Sequence, residues 1–367
     1  MRVLLAGGGT AGHTSPLLAT ADVLAERGVD ITCLGTPRGL EVELIPAAGY
    51  PLELVPPVPL PRRANVDLAK VPIRLQRTVA ATLAVLDRVR PDVVVGFGGY
   101  VSVPAYLAAR RRHIPIVVHE GNALPGIANR LGARLTPFVA TSFPNTPLRD
   151  ARYLGLPIRR QISHLDRAAV RPEGLRHFGL SPDRPTLLVT GGSQGARRIN
   201  LAVSGAARDL ADAGIQVVHA AGRPEEAKVD RRPEDPAYVV EKFIDRIDLA
   251  YAAADLIVCR AGANSVTEVS AVGLPAVFVP LPIGNGEQAR NAHAVVQAGG
   301  GVLIDDEAFT SSWVDQALIP LITSRDRLGA MSRAAANIVR RDADELLADL
   351  IEEAAASGAH HHRQGRT

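Results

Sequence analysis

Apolar positions in this chain come in short unbroken runs: Val3-Leu4-Leu5-Ala6, Val93-Val94-Val95, Ile116-Val117-Val118, Leu187-Leu188-Val189, Val217-Val218 and Leu256-Ile257-Val258. A strand with one wet face alternates apolar and polar residues, whereas a strand covered on both faces is apolar throughout. Between the runs lie alanine-rich stretches, such as residues 16–26, whose apolar residues recur near helical spacing. This alternation predicts an α/β chain built on parallel sheets with helices on both faces, and argues against a helix bundle or a sandwich.

Two stretches repeat one plan. VLLAGGGTAGH from Val3 and TLLVTGGSQGARRIN from Thr186 each read as an apolar strand, a glycine-rich turn and a helix. Each opens its own strand–helix series, and 367 residues suffice for two such cores. The expectation is two Rossmann-like, doubly wound domains, residues 1–160 and 161–340, joined near the Gly155–Pro157 turn. A last helix over 341–357 is expected to pack back on the first domain. A disordered tail, 358–367, with three consecutive histidines, is expected to follow.

Composition narrows the function. Lys and Arg number 41 against 38 Asp and Glu, a net charge of +3 that is too small to call for nucleic acid. Aromatic residues make up 4%, which disfavours base stacking on rings. Cys33 and Cys259 each fall in a predicted buried strand, as suits small hydrophobes in a reducing, cytoplasmic compartment. The apolar run before the first glycines is too short for the core of a signal peptide. The longest uncharged stretch, 269–286, is broken by Pro275, Pro280 and Pro282, so no spanning helix is expected. Asp342 and Asp344 stand two apart on a predicted helix and point to different faces, which disfavours a shared metal.

Glycine turns then point to phosphate. Four follow predicted strands: Gly7 to Gly12, Gly96-Phe97-Gly98-Gly99-Tyr100, Gly191-Gly192-Ser193-Gln194-Gly195, and Arg260-Ala261-Gly262-Ala263. A helix entered through glycines offers unpaired N–H groups and a partial positive charge to an anion. Gly7-x-Gly9-x-x-Gly12 is also the dinucleotide pattern, but the second strand, Ile31 to Thr36, ends without the carboxylate that would grip an NAD ribose. Arg38 keeps an NADP-dependent oxidoreductase open. The count of four turns instead favours two phosphate-bearing substrates meeting between the carboxyl edges of two domains.

Taken in order, GGGTAGH, GFGGYVS, HEGN, GGSQGAR, FIDR, RAGANSVTE and EQARNA resemble the bacterial peptidoglycan N-acetylglucosaminyltransferases, from Val3 to about residue 340. The resemblance implies a GT-B fold, two Rossmann-like domains facing across a cleft. It implies a donor, UDP-N-acetylglucosamine (UDP-GlcNAc), held mainly by the C-terminal domain. The implied acceptor is lipid I, the undecaprenyl-diphosphate-linked muramyl pentapeptide, and the product lipid II. Transfer is expected to be inverting, the muramyl 4-hydroxyl attacking the anomeric carbon as UDP departs, with no protein nucleophile, cofactor or obligatory metal. The donor is a co-substrate. Cell-wall synthesis and division proteins are implied partners, at the cytoplasmic face of the cell membrane.

The resemblance also distributes roles. Donor contacts fall to Thr10, Ala11, Gly12, Asn122, Arg159, Ser193, Gln194, Phe243, Ile244, Ala263, Asn264, Ser265, Glu268, Gln288 and Asn291. Glu268 is expected on the ribose hydroxyls, though Ser265 and Glu268 also read as a capping box. Gly98, Gly99, Tyr100 and Ser102 are expected at the acceptor diphosphate. His13 is the first candidate for the base, since a helix N-terminus disfavours imidazolium and keeps the ring neutral near pH 7. A capping or phosphate-contacting histidine is the other reading, and Glu120 and His119 stand in reserve.

From Arg62 to Arg90 the segment carries Arg62, Arg63, Lys70, Arg74, Arg77, Arg88 and Arg90 against Asp67 and Asp87. Leu75 to Leu86 read as a core-facing stripe. With Arg110-Arg111-Arg112, the basic face is expected to dock reversibly on an anionic membrane surface. Other GT-B glycolipid transferases, a UDP-GlcNAc epimerase and a catalytically silent UDP-sugar-binding scaffold remain as rivals.

Overall fold

The computed structural model describes residues 1–58, 66–192, 196–283 and 285–364. The chain divides into two compact units, 1–159 with 340–367, and 160–339.

The first unit runs β1 (Arg2–Ala6), α1 (Ala11–Glu26), β2 (Asp30–Gly35), α2 (Glu41–Ala47), β3 (Leu52–Leu54), α3 (Val66–Val89) and β4 (Val93–Gly96). It continues through α4 (Ser102–Arg111), β5 (Ile116–Glu120), α5 (Ile127–Gly132), β6 (Val139–Thr141) and β7 (Ala151–Tyr153). The second begins with α6 (Arg160–Ser163), α7 (Arg167–His177), β8 (Thr186–Thr190), α8 (Arg197–Gly205), α9 (Ala207–Asp212), β9 (Gln216–Ala220) and β10 (Tyr238–Glu241). There follow α10 (Ile247–Ala253), β11 (Leu256–Cys259), α11 (Ala263–Ala271), β12 (Ala276–Phe278), α12 (Glu287–Gln297) and β13 (Gly301–Leu303). Short helical segments α13 (Ser311–Trp313) and α14 (Ile319–Ile322) and helix α15 (Arg325–Ala336) close this unit, and α16 (Ala343–Gln364) returns to the first.

Both sheets are parallel, in the orders β3-β2-β1-β4-β5-β6-β7 and β10-β9-β8-β11-β12-β13. The order reverses between β1 and β4 in one and between β8 and β11 in the other. At such a reversal neighbouring crossovers leave on opposite faces and open a crevice at the carboxyl ends of the strands. The glycine turns follow those ends.

Unbroken apolar strands have the cause their pattern suggests. In β1, Val3 and Leu5 join the core under α1 and α16, while Leu4 and Ala6 join the core under α3 and α4. Leu347, Ala348, Ile351 and Ala354 of α16 are fully buried against that first face. Each buried leucine or isoleucine stabilises by about 1.5–3 kcal/mol. Val79 and Leu86 of α3 are buried and Leu75 packs beside them, as the core-facing stripe requires. The helix continues to Gln364, past residue 358 where the sequence suggested a disordered tail. Cys33 and Cys259 are buried and unbridged, and desolvation pushes each thiol up to about 12. Among the described residues no helix is long and apolar enough to cross a membrane.

Candidate active site

Three neighbouring strand ends of the first unit, β1, β4 and β5, carry a connected polar cluster. The turn after β1 delivers His13 to the first turn of α1. Its Nδ1 lies 3.0 Å from the Gly8 carbonyl oxygen and 3.3 Å from Thr10 Oγ1. A carbonyl only accepts, so Nδ1 carries the proton and, in the neutral ring, Nε2 carries the lone pair. Burial lowers the pKa of His13 from its ordinary value, and the Gly8 bond and the charges of Glu120 and Glu41 offset this only in part.

The turn after β4 lies against that ring. Gly98 and Gly99 have φ of 95° and 78°, a region that side chains rarely adopt. A Cβ on Gly98 would stand 3.1 Å from His13 Nε2, and one on Gly99 would stand 2.8 Å from the Gly8 oxygen. Glycine is needed twice over. Ser102 Oγ accepts from Gly98 N–H at 3.1 Å and donates to the Gly98 carbonyl at 2.8 Å, so this hydroxyl faces inward and shapes the turn. Tyr100 is exposed.

The two reserves for the base are both occupied. Glu120 is buried and accepts from Asn122 N–H, Gly126 N–H and Asn129 Nδ2 at 2.9, 3.0 and 3.0 Å. His119 is fully buried, packs against Phe97 with ring centroids 5.4 Å apart and tilted by 48°, and pairs through Nε2 with Ser142 Oγ at 3.2 Å. Desolvation pushes it down to about 4. A ring sealed in the core has no path to a reacting hydroxyl. Both residues instead build the β5–α5 turn, which Asn129 completes by accepting from Tyr106 OH at 2.8 Å.

In the second unit, Gly262 caps α11, with φ −62° and ψ 148°, so Ser265 is already helical. This removes the capping-box reading of Ser265 and Glu268. Glu268 lies a turn further on, half-buried, and its Oε2 accepts from Tyr251 OH at 2.9 Å. Ala263, Asn264 and Ser265 form the first turn of the same helix. Asn291 is buried and donates to the Ala261 carbonyl at 3.3 Å, while Gln288 Oε1 accepts from Leu281 N–H at 2.9 Å. Phe243 is exposed beside buried Ile244. Arg260 reaches the carbonyls of Val279 and Pro280 and pairs at 2.6 Å with Asp306, which also holds Arg198. Ser193 and Gln194 lie outside the described residues. Arg159 is exposed at the end of the first unit.

Residues 3–141 match the glycosyltransferase family 28 N-terminal domain and residues 186–347 its C-terminal domain. The chain belongs to glycosyltransferase family 28. Its two parallel-sheet units are the Rossmann-like domains of the GT-B class. It is 66% identical to the UDP-N-acetylglucosamine–N-acetylmuramyl-(pentapeptide) pyrophosphoryl-undecaprenol N-acetylglucosamine transferase of a Nocardioides species, across 96% of this chain and 98% of that one. To the Streptomyces coelicolor transferase of the same name it is 55% identical, across 98% and 100%. The crystal structure of Acinetobacter baumannii MurG matches with a TM-score of 0.77 and 29% identity, over 96% and 99% of the two chains.

For this family 28 chain, several residues that build the site escape motif reading. Glu41, Asn129 and Tyr251 lie outside every glycine turn and act through partners distant in sequence. Among the described residues no cluster of three or more His, Cys, Asp or Glu is arranged to hold a metal.

Proposed function

We propose that this chain transfers N-acetylglucosamine from UDP-GlcNAc to the 4-hydroxyl of the muramyl sugar of lipid I, giving lipid II. The observation that carries the reading is the 66% identity to a relative named for that transfer, across nearly the whole of both chains. The His13 geometry supports a mechanism with that residue as the base. His13 Nε2 takes the proton of the attacking hydroxyl as its oxygen bonds the anomeric carbon from the face opposite UDP. The bond to the diphosphate breaks with its electron pair leaving on UDP, and the anomeric configuration inverts. The neutral ring, fixed by the Gly8 carbonyl, is ready to accept a proton near pH 7.

On the donor side, Glu268 accepts from the ribose hydroxyls, with Tyr251 fixing its carboxylate. The first turn of α11 faces the diphosphate, a contact that the resemblance also gives to Ser193 and Gln194, and Arg159 offsets its charge. Phe243 and Ile244 flank the uracil, and Gln288 and Asn291 contact the sugar. Thr10, Ala11, Gly12 and Asn122 complete the donor contacts from the first unit. Gly98, Gly99 and Tyr100 meet the acceptor diphosphate on a turn that Ser102 holds. We place the enzyme at the cytoplasmic membrane face, held reversibly through α3 and Arg110-Arg111. No cofactor or obligatory metal enters this scheme.

The test is incubation with labelled UDP-GlcNAc and a lipid I analogue. A β-linked disaccharide product is expected. UDP-GlcNAc epimerised or left intact, with no labelled lipid, overturns the reading.

A further inference from the structure

Beneath the Gly7–Thr10 turn lies a carboxylate that none of the motifs announces. Glu41, the first residue of α2, is fully buried. Its Oε2 accepts from Gly9 N–H at 2.7 Å, and its Oε1 accepts from Thr36 N–H at 3.1 Å and from Thr36 Oγ1 at 2.9 Å. A Cβ on Gly8 or Gly39 would run into this carboxylate, so glycines on both sides make room for it. A glycine turn at a helix start ordinarily presents its N–H groups to a ligand anion. Here Gly9 gives its N–H to the protein's own anion.

The connection to His13 is a single peptide. The Gly8 carbonyl and the Gly9 N–H belong to one planar amide, so holding one end fixes the direction of the other. Glu41 grips the N–H end at 2.7 Å and His13 Nδ1 bonds the carbonyl end at 3.0 Å. Bonds chained through an amide also polarise one another, which strengthens the carbonyl as an acceptor. We propose that Glu41 is a positioning residue for the transfer: through the Gly8–Gly9 peptide it holds the proton on His13 Nδ1 and so keeps Nε2 as the basic nitrogen. The inference rests on His13 being the base.

The ionisable groups that act on His13 are Glu41 from α2 and Glu120 and His119 from β5. Replacing Glu41 by glutamine removes one of the two negative charges and sets an amide N–H against a Gly9 or Thr36 donor, which loses its acceptor. Both the lost charge and a loosened Gly8 bond lower the pKa of His13 further. The Glu41→Gln variant is therefore expected to lose about tenfold to a hundredfold in kcat, the scale of a misplaced catalytic group. The acid limb of its pH–rate profile should move to lower pH, while its affinity for UDP stays that of wild type.

His13→Ala, assayed alongside, separates the two readings. If His13→Ala keeps wild-type turnover, the base assignment fails and this inference falls with it. If His13→Ala collapses while Glu41→Gln keeps the wild-type kcat and acid limb, the positioning role alone is overturned. Should Glu41→Gln fail to fold, the tautomer can be read in the wild-type protein from ¹⁵N spectra of labelled histidine. A neutral His13 protonated at Nδ1 supports the inference, and one protonated at Nε2 overturns it.

Discussion

At the scale of single residues, the site works by holding side chains that would otherwise turn. In the proposed mechanism His13 is useful only in one tautomer, and Glu268 only with its carboxylate in one orientation. Tyr251, buried on α10, fixes the second of these through one 2.9 Å bond. A hydrogen bond to a charged group contributes about 1.5–3 kcal/mol, and part of that is recovered when water replaces the phenol. Tyr251→Phe is therefore expected to weaken UDP binding by about threefold to thirtyfold with a smaller change in kcat. Calorimetric titration with UDP reads it, and unchanged affinity would leave Glu268 oriented by something else.

At the scale of elements, much of the fold was legible and much of the site's support was not. Strands buried on both faces leave unbroken apolar runs, and glycine turns mark where they hand over to helices, so the doubly wound class could be read directly. Helix ends were less legible. Ser265 and Glu268 match a capping box letter for letter, yet α11 starts at Ala263, because the backbone is still extended at its cap, Gly262, and helical from there on. Glu41 was invisible for a different reason: its partner Gly9 comes from another loop, and no local pattern encodes a meeting made by tertiary packing. For α3 the helix pattern separates its faces, with Val79 and Leu86 inward and Ile73, Arg77 and Arg88 outward. Arg88 pairs with Glu53, and Arg112 of the next helix end pairs with Asp87, which reduces the cations available to lipid. Binding to anionic vesicles is expected at low salt and release at high salt, since exposed charges are screened beyond about 8 Å at physiological ionic strength. Binding that ignores salt and lipid charge would contradict an electrostatic attachment.

At the scale of the whole molecule, each unit carries a buried histidine that burial pushes down to about 4: His119 in the first, and His219, between Tyr238 and Asn200, in the second. The unfolded chain binds these protons at its ordinary value of 6.5 while the native one does not, so stability is full above that pH. It falls as pH drops from about 6.5 to about 4, by on the order of 3 kcal/mol for each histidine. Melting curves across that window should show both units destabilised together, and a flat profile would contradict the burial of these rings. The proposed catalysis follows the same sign, since His13 as the base must be neutral to accept a proton. In the proposed transfer His13 performs the deprotonation while the donor is held largely by other residues. The most direct measurement is the rate of N-acetylglucosamine transfer to a lipid I analogue by His13→Ala at saturating UDP-GlcNAc. A loss of about 10²- to 10⁴-fold with UDP affinity unchanged is expected. Turnover within a few-fold of wild type would contradict it.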